Sequence, residues 1–339
     1  MSLLSPRKAA VVFMAFGLAY FLSALIRAIT ATLAPTLVQE FSLQSRDLGL
    51  LAGGYFLGFA LTQLPLGLWL DRMGPKRVEL SFLTVAVVGC IAFALAQNFW
   101  SLLAARVLCG VGLSACLMAP LTGYRRWYAP EQQMRSNSWM LMVGSFGMVA
   151  STLPVQWLMP FVGWRGIFAL LGALVVLAML TIAWQSPRWQ SDAEAAENRA
   201  GVLNSYREVW RNPYVRKMAP LGFFSYGGMV AMQTLWAGPW MVKVGGYSAQ
   251  EAATGLFGLN VAMLLAFWLW GWINPWLTRK AYNADRLITW GMPLNFCLFT
   301  ALVFVGSAAS TGTAALLTLV SVSCTVVTLS QPAVGMAFP

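Results

Sequence analysis

Residues 47–97 read DLGLLAGGYFLGFALTQLPLGLWLDRMGPKRVELSFLTVAVVGCIAFALAQ. Two apolar runs, 47–70 and 78–97, flank a short segment that holds Asp71, Arg72, Lys76 and Arg77. A helix rises about 1.5 Å per residue, so some twenty residues cross roughly 30 Å of hydrocarbon. Each run has that length, and neither alternates as a half-buried strand would. The stretch reads as two membrane-spanning helices joined by a basic loop.

The rest of the chain repeats the pattern. Of 339 residues, 59% are hydrophobic, 10% are charged and none is histidine, whereas a soluble domain carries roughly a quarter of its residues as charges. Runs of similar length recur at 9–37, 100–122, 137–159, 164–184, 217–242, 251–274, 285–307 and 312–333. The expectation is an all-α integral membrane protein with about ten transmembrane helices. The five cysteines, at 90, 109, 116, 297 and 324, lie inside apolar runs without ligand spacing, so neither disulfides, a metal site nor a cofactor is expected.

The net charge of +11 reflects topology rather than a nucleic-acid partner. With the N-terminus in the cytoplasm, 17 of the 22 basic residues fall in cytoplasmic segments; Arg46, Arg165 and Lys243 lie by the opposite loops, and Arg27 and Arg106 lie within spans. The polar stretch 185–216 divides the chain into an N-terminal six-helix bundle (1–184), a cytoplasmic linker and a C-terminal bundle of four helices (217–339). No charge follows Arg286, where a last span would normally carry basic anchors. The expectation is therefore a fragment, two helices short of a six-plus-six arrangement; a ten-helix protein is the alternative.

An internal repeat supports the pairing of the bundles. At an offset of 204, Pro35 falls on Pro239, Asp47 on Glu251, Gly54 on Gly258, Gly67 on Gly271 and Lys76 on Lys280. These are turn, cap and loop positions, which chance matches of Leu and Ala do not supply. Two similar halves can rock about a central cavity and open it to each side in turn.

The loop Gly67-Leu68-Trp69-Leu70-Asp71-Arg72-Met73-Gly74-Pro75-Lys76-Arg77 resembles the GxLxDRxGxKR signature of the major facilitator superfamily. Its chemistry is intelligible: Gly67 allows close helix approach, Asp71 offers an acceptor at a helix end, Gly74 turns the chain, and Arg72, Lys76 and Arg77 hold the cytoplasmic side. In the fourth span Leu102, Arg106, Gly110 and Gly112 are similar to a second pattern of that family, LxxxRxxxGxG, and Trp164-Arg165-Gly166-Ile167-Phe168 also looks like a family feature. The resemblance implies two pseudo-symmetric six-helix bundles, the second incomplete here. It implies gating or coupling roles for the signature loop and for Arg106; the alternative for Arg106 is a structural bond to carbonyls of a neighbouring helix. It also implies that Asp71 engages an eleventh helix, which these ten spans do not include.

Arg27 lies near the middle of the first span, where a charge is costly. Tyr20, Ser23, Arg27 and Thr30 share one helical face, a polar stripe suited to a cavity. All eleven acids fall in loops or at span ends, so the expected counter-charge is the solute. The segment from Tyr20 to Pro35 resembles the first helix of organophosphate and organic-anion transporters of the superfamily, which implies that Arg27 holds an anionic group. Its pseudo-symmetric partner is Ala231, so a monoanion or carboxylate fits better than a dianion. Gln233 and Trp236 on the seventh span, Tyr55 and Gln63 on the second and Asn260 on the eighth are further substrate-binding candidates. For each, an interhelical hydrogen bond or an interfacial aromatic is the competing reading.

These readings describe a secondary active transporter of a small organic anion, in a bacterial inner membrane, working as a monomer by alternating access. There is no GxxxxGK[ST] phosphate loop to suggest a pump. Protons are the coupling ion the resemblance implies, although no embedded acid or histidine is evident to carry them. A drug or metabolite exporter of the same family is the first alternative, although the pattern GxxxGPxxGG is not matched by Gly144-Ser145-Phe146-Gly147 and Pro154. A non-transporting receptor is the second. An enzyme is not expected, because the apolar interior holds almost nothing for acid–base chemistry.

Overall fold

The structure, a computed structural model, describes residues 4–187, 189, 210–279, 284–305 and 311–329. Described residues that are not helical form short turns and caps, and none is a strand. The contacts divide the chain into two compact units, Met1–Glu197 and Asn198–Pro339.

In the first unit, α1 (Pro6–Phe41) begins on a proline and ends at Ser42, whose left-handed backbone (φ 52°) stops the helix. Helix α2 (Ser45–Ala94) carries both runs of the deciding stretch as two arms meeting at Gly74. At φ 77° and ψ 163°, Gly74 adopts a backbone that side chains disfavour, and this reverses the chain without a separate loop. Helix α3 (Phe99–Leu113) is capped by Asn98, whose Oδ1 accepts from the Ser101 amide at 2.9 Å. Then follow α4 (Met118–Trp127), α5 (Pro130–Ala150) and α6 (Leu153–Gln185), the last bending at Gly163 (φ 63°). Both arms of α2 pack on α3, α2 also packs on α6, and α1 packs on α5 and α6.

In the first unit two expected spans are interrupted where the sequence reads as a single helix. The fourth is interrupted by a turn at 114–117 between α3 and α4. The carbonyl this frees at Ser114 faces Gln63, whose Nε2 donates to it at 3.4 Å, while Thr62 Oγ1 donates to Ser114 Oγ at 2.8 Å. The fifth breaks at Ser151 and Thr152, and its second part is the start of α6. Here Thr32 Oγ1 donates to the Ser151 carbonyl at 2.7 Å. Both interruptions survive in an apolar setting because a neighbouring polar side chain meets the released backbone group.

In the second unit a continuous helical run contains α7 (Pro213–Leu221), a π-turn (Gly222–Tyr226), α8 (Gly227–Ala231), a second π-turn (Met232–Trp236) and α9 (Ala237–Lys243). The sequence predicted one regular helix there. Helices α10 (Ala249–Arg279), α11 (Ala284–Val305) and α12 (Thr311–Cys324), with a 3₁₀ turn (Thr325–Leu329), cover the remaining spans. Of the expectations above, Lys280, most of the linker 185–216 and the end of the tenth span lie outside the described residues.

The repeat has a structural counterpart at its acidic positions. The Gln44 amide donates to Asp47 Oδ2 at 2.9 Å, and the Ser248 amide, 204 residues later, donates to Glu251 Oε2 at 2.8 Å. Both carboxylates cap the amides that open a membrane helix, where the positive dipole end favours them.

Candidate substrate site and signature loop

The polar stripe of α1 lies at the centre of the first unit. Tyr20, Ser23 and Thr30 are buried, at 8%, 3% and 2% exposure, while Arg27 between them is only partly buried. Tyr20 packs its ring where a Cβ on Gly144 of α5 would stand. Ser23 Oγ donates to the Leu113 carbonyl at 3.3 Å, at the point where α3 ends.

Arg106, on α3, is 1% exposed. Its Nη1 donates to the Ile26 carbonyl at 2.9 Å and its Nη2 to the Arg27 carbonyl at 3.4 Å. The guanidinium also stands over the Tyr55 ring, 4.9 Å from its centroid. Tyr55 is wholly buried, and both Arg27 and Arg106 bear on its hydroxyl. The site therefore joins two arginines 79 residues apart in sequence through one helix backbone and one phenol.

α3 can come this close because its motif glycines face other backbones. A Cβ at Gly110 would strike the Tyr55 carbonyl, and one at Gly112 would strike Ala86. Gly58, on α2, meets the Val107 backbone in the same way. Gly67 does not share this role: a Cβ there would meet nothing within 4 Å. The close approach expected of Gly67 is thus carried by Gly58, Gly110 and Gly112, where helices cross.

In the signature loop Asp71, Arg72 and Arg77 are exposed and Lys76 is half-buried. Lys76 Nζ donates to the Ala183 carbonyl at 2.5 Å and the Ser186 carbonyl at 3.3 Å, closing the end of α6. A cation here meets the negative end of that helix and its unsatisfied carbonyls. Gly74 is covered by the Trp189 ring, which Arg126 stacks upon at 4.4 Å. Just past the Gly163 bend of α6, Arg165 pairs with Glu40 at 2.6 Å and donates to the Ala96 carbonyl at 3.1 Å, while Trp164 Nε1 donates to Glu40 at 2.7 Å. The Trp-Arg pair of the 164–168 segment thus ties α6 to the end of α1 and to the α2–α3 turn.

Sequence reasoning missed one residue. Glu79, two positions beyond the loop, has 0% exposure. As the second residue of the run 78–97 it reads as a span-end acid, and the structure adds that its side chain is buried within the protein. The signal was available: Glu79 follows Val78 at the start of an apolar run, so a helix begun at that point carries it inward.

In the second unit two of the candidates meet. Gln233 Nε2 donates to Asn260 Oδ1 at 2.7 Å, and Asn260 Nδ2 donates to the Leu256 carbonyl at 2.9 Å. Both residues are buried, whereas Trp236 is 37% exposed. Gln233 and Trp236 lie within the second π-turn, which rotates the face they present relative to a regular helix.

Comparison with known proteins matches residues 16–339 to the model of the Major Facilitator Superfamily. The chain belongs to that superfamily. It is 27% identical over 283 residues to the gallate transporter of Pseudomonas putida, covering 73% of this chain and 62% of that protein. A probable sugar efflux transporter of Helicobacter pylori strain J99 is 23% identical over 286 residues, covering 83% of this chain and 69% of that protein. The fold is similar to that of a bacterial homologue of the human lysosomal transporter Spinster, solved inward-facing and unoccupied, with a TM-score of 0.78 at 21% identity. That match covers 98% of this chain and 76% of the solved one. The superfamily's two-bundle fold accounts for the pseudo-symmetry of an all-helical membrane protein.

Proposed function

We propose that this chain belongs to a secondary active transporter that moves a small organic anion by alternating access. The observation that carries the reading is the convergence of Arg27 and Arg106 on Tyr55 at the middle of the first unit. Arg106 is committed to the α1 backbone and lends positive field, while Arg27, partly buried among buried neighbours, is the arginine that meets the solute. A carboxylate would be held by the Arg27 fork and oriented by the hydroxyls of the α1 stripe. The gallate transporter, named for an aromatic carboxylate, is consistent with this chemistry.

In this reading Arg72, Lys76 and Arg77 mark the cytoplasmic side, so the N-terminus is cytoplasmic and the membrane is a bacterial inner membrane. Gln233, Trp236 and Asn260 are the solute-binding candidates of the second unit, and Gly67, Asp71, Arg72, Gly74, Lys76, Arg77 and Arg106 serve gating or coupling. Coupling is to protons, and the chain works as a monomer. The sugar efflux relative favours a second reading, export of a neutral solute. Uptake of labelled gallate and of a labelled neutral hexose into proteoliposomes separates the two. Saturable gallate movement competed by other carboxylates supports the anion reading, and hexose movement with none of gallate refutes it.

A further inference from the structure

The interior of the first unit holds a carboxyl group that no part of the anion site requires. Glu79 opens the second arm of α2 and has 0% exposure. Its chain neighbour Val78 belongs to a buried apolar cluster with Leu66, Leu70, Ala115 and Ala119, against which Phe82 packs, and Ala115 adjoins the Cys116 that faces the carboxyl. Among the described residues no nitrogen or hydroxyl donor bonds either carboxyl oxygen. The titratable groups that face it are the Cys116 thiol, in the turn between α3 and α4, and the Tyr124 hydroxyl of α4. Neither supplies a positive charge. A carboxylate in such a place lacks the pairing that lets buried charges persist, and a bound proton removes the charge altogether.

The surroundings continue toward the arginines. Cys116 faces Ser23 as well as Glu79, and Ser23 and Cys116 both bear on Tyr55, which Arg27 and Arg106 also address. Polar side chains from α1, both arms of α2, α3 and the 114–117 turn therefore form one line through an otherwise apolar interior. Its far end is the place where an anion would change the local charge.

We infer that Glu79 is a proton-binding site of this transporter, joined to the arginine site by the line Cys116, Ser23 and Tyr55. A proton from water adds to a carboxylate oxygen of Glu79 when the unit opens on one side, and the same O–H bond breaks to water on the other. An anion at Arg27 brings one negative charge and a proton on Glu79 brings one positive charge, so carrying the two together leaves the net charge unchanged. The coupling part of this inference rests on the transport reading above, whereas the proton site itself does not.

Two measurements on the 339-residue chain in lipid separate those parts. Without any solute, infrared difference spectra across a pH titration should show the carbonyl band of a protonated carboxylic acid at neutral pH. The band should disappear in Glu79→Gln and persist, shifted, in Glu79→Asp. An unchanged band in Glu79→Gln overturns the site whether or not the chain transports gallate. With gallate inside and outside, Glu79→Gln should exchange labelled gallate as the unaltered chain does, which also shows that it is folded. It should lose the extra accumulation driven by an inward proton gradient, while Glu79→Asp retains it. Gradient-driven accumulation of equal size in Glu79→Gln overturns the coupling.

Discussion

Replacement of Arg106 tests how the centre of the first unit is held. The guanidinium makes a 2.9 Å bond to the Ile26 carbonyl, a longer 3.4 Å bond to the Arg27 carbonyl and a stacked contact with Tyr55 at 4.9 Å. A charge-assisted hydrogen bond contributes about 1.5–3 kcal/mol and a desolvated cation–π contact about 2 kcal/mol. Against these stands the cost of holding an arginine within a span, about 2.5–3.5 kcal/mol on insertion scales. Arg106→Leu loses the contacts and the cost together, so its net effect is small, about 1 kcal/mol of destabilisation. Arg106→Lys keeps the cost and one bond but loses the second bond and the planar stack, so it destabilises more, by about 2 kcal/mol. The order is the informative part: lysine, the conservative replacement, is the worse one. Thermal unfolding in detergent, followed by exposure of the buried Cys90, Cys109, Cys116 and Cys324 to a thiol-reactive dye, reads it directly. Cys109 is wholly buried and Cys297 is exposed, so a Cys297→Ser background removes the constant signal. A lysine variant more stable than the leucine variant would show that a point charge suffices there, and would refute the reasoning from fork geometry.

Gly110→Ala should cost about 1–3 kcal/mol, because its Cβ meets a backbone carbonyl that cannot rotate away, whereas Gly67→Ala should lie within about 0.5 kcal/mol of the unaltered chain. The same dye-based unfolding distinguishes them, and equal tolerance at both positions would contradict the packing described. A double-mutant cycle with Gln233→Leu and Asn260→Leu should give a coupling of about 0.5–1.7 kcal/mol, the range of hydrogen bonds between membrane helices. Additive effects would mean that the 2.7 Å bond contributes nothing.

The spans were legible because each is long enough to cross a bilayer and because basic residues sit between them. The interruptions were not. Ser114 to Leu117 and Ser151 to Thr152 read as ordinary small or polar positions in apolar runs, and their breaks are decided by Thr62, Gln63 and Thr32 on other helices. The π-turns around Gly222 and Met232 likewise have no periodic signature, since one extra residue per turn leaves an apolar run apolar. Arg27, Arg106 and Tyr55 were each singled out by residue type and depth. That Arg106 bonds the backbone of α1 at Arg27 could not be read, because it depends on Gly110 letting α3 touch α2. Glu79 escaped for a simpler reason: as the second residue of the run 78–97 it reads as a span-end acid, and its burial depends on the packing of the α2 arm that follows the Gly74 reversal.

The central claim is that Arg27 holds the solute's negative charge. The most direct measurement is counterflow of labelled gallate in proteoliposomes containing the unaltered chain or Arg27→Gln, with unfolding temperature recorded for both. The account predicts gallate counterflow for the unaltered chain and none for Arg27→Gln, at matched stability. Counterflow at the unaltered rate in Arg27→Gln would contradict it.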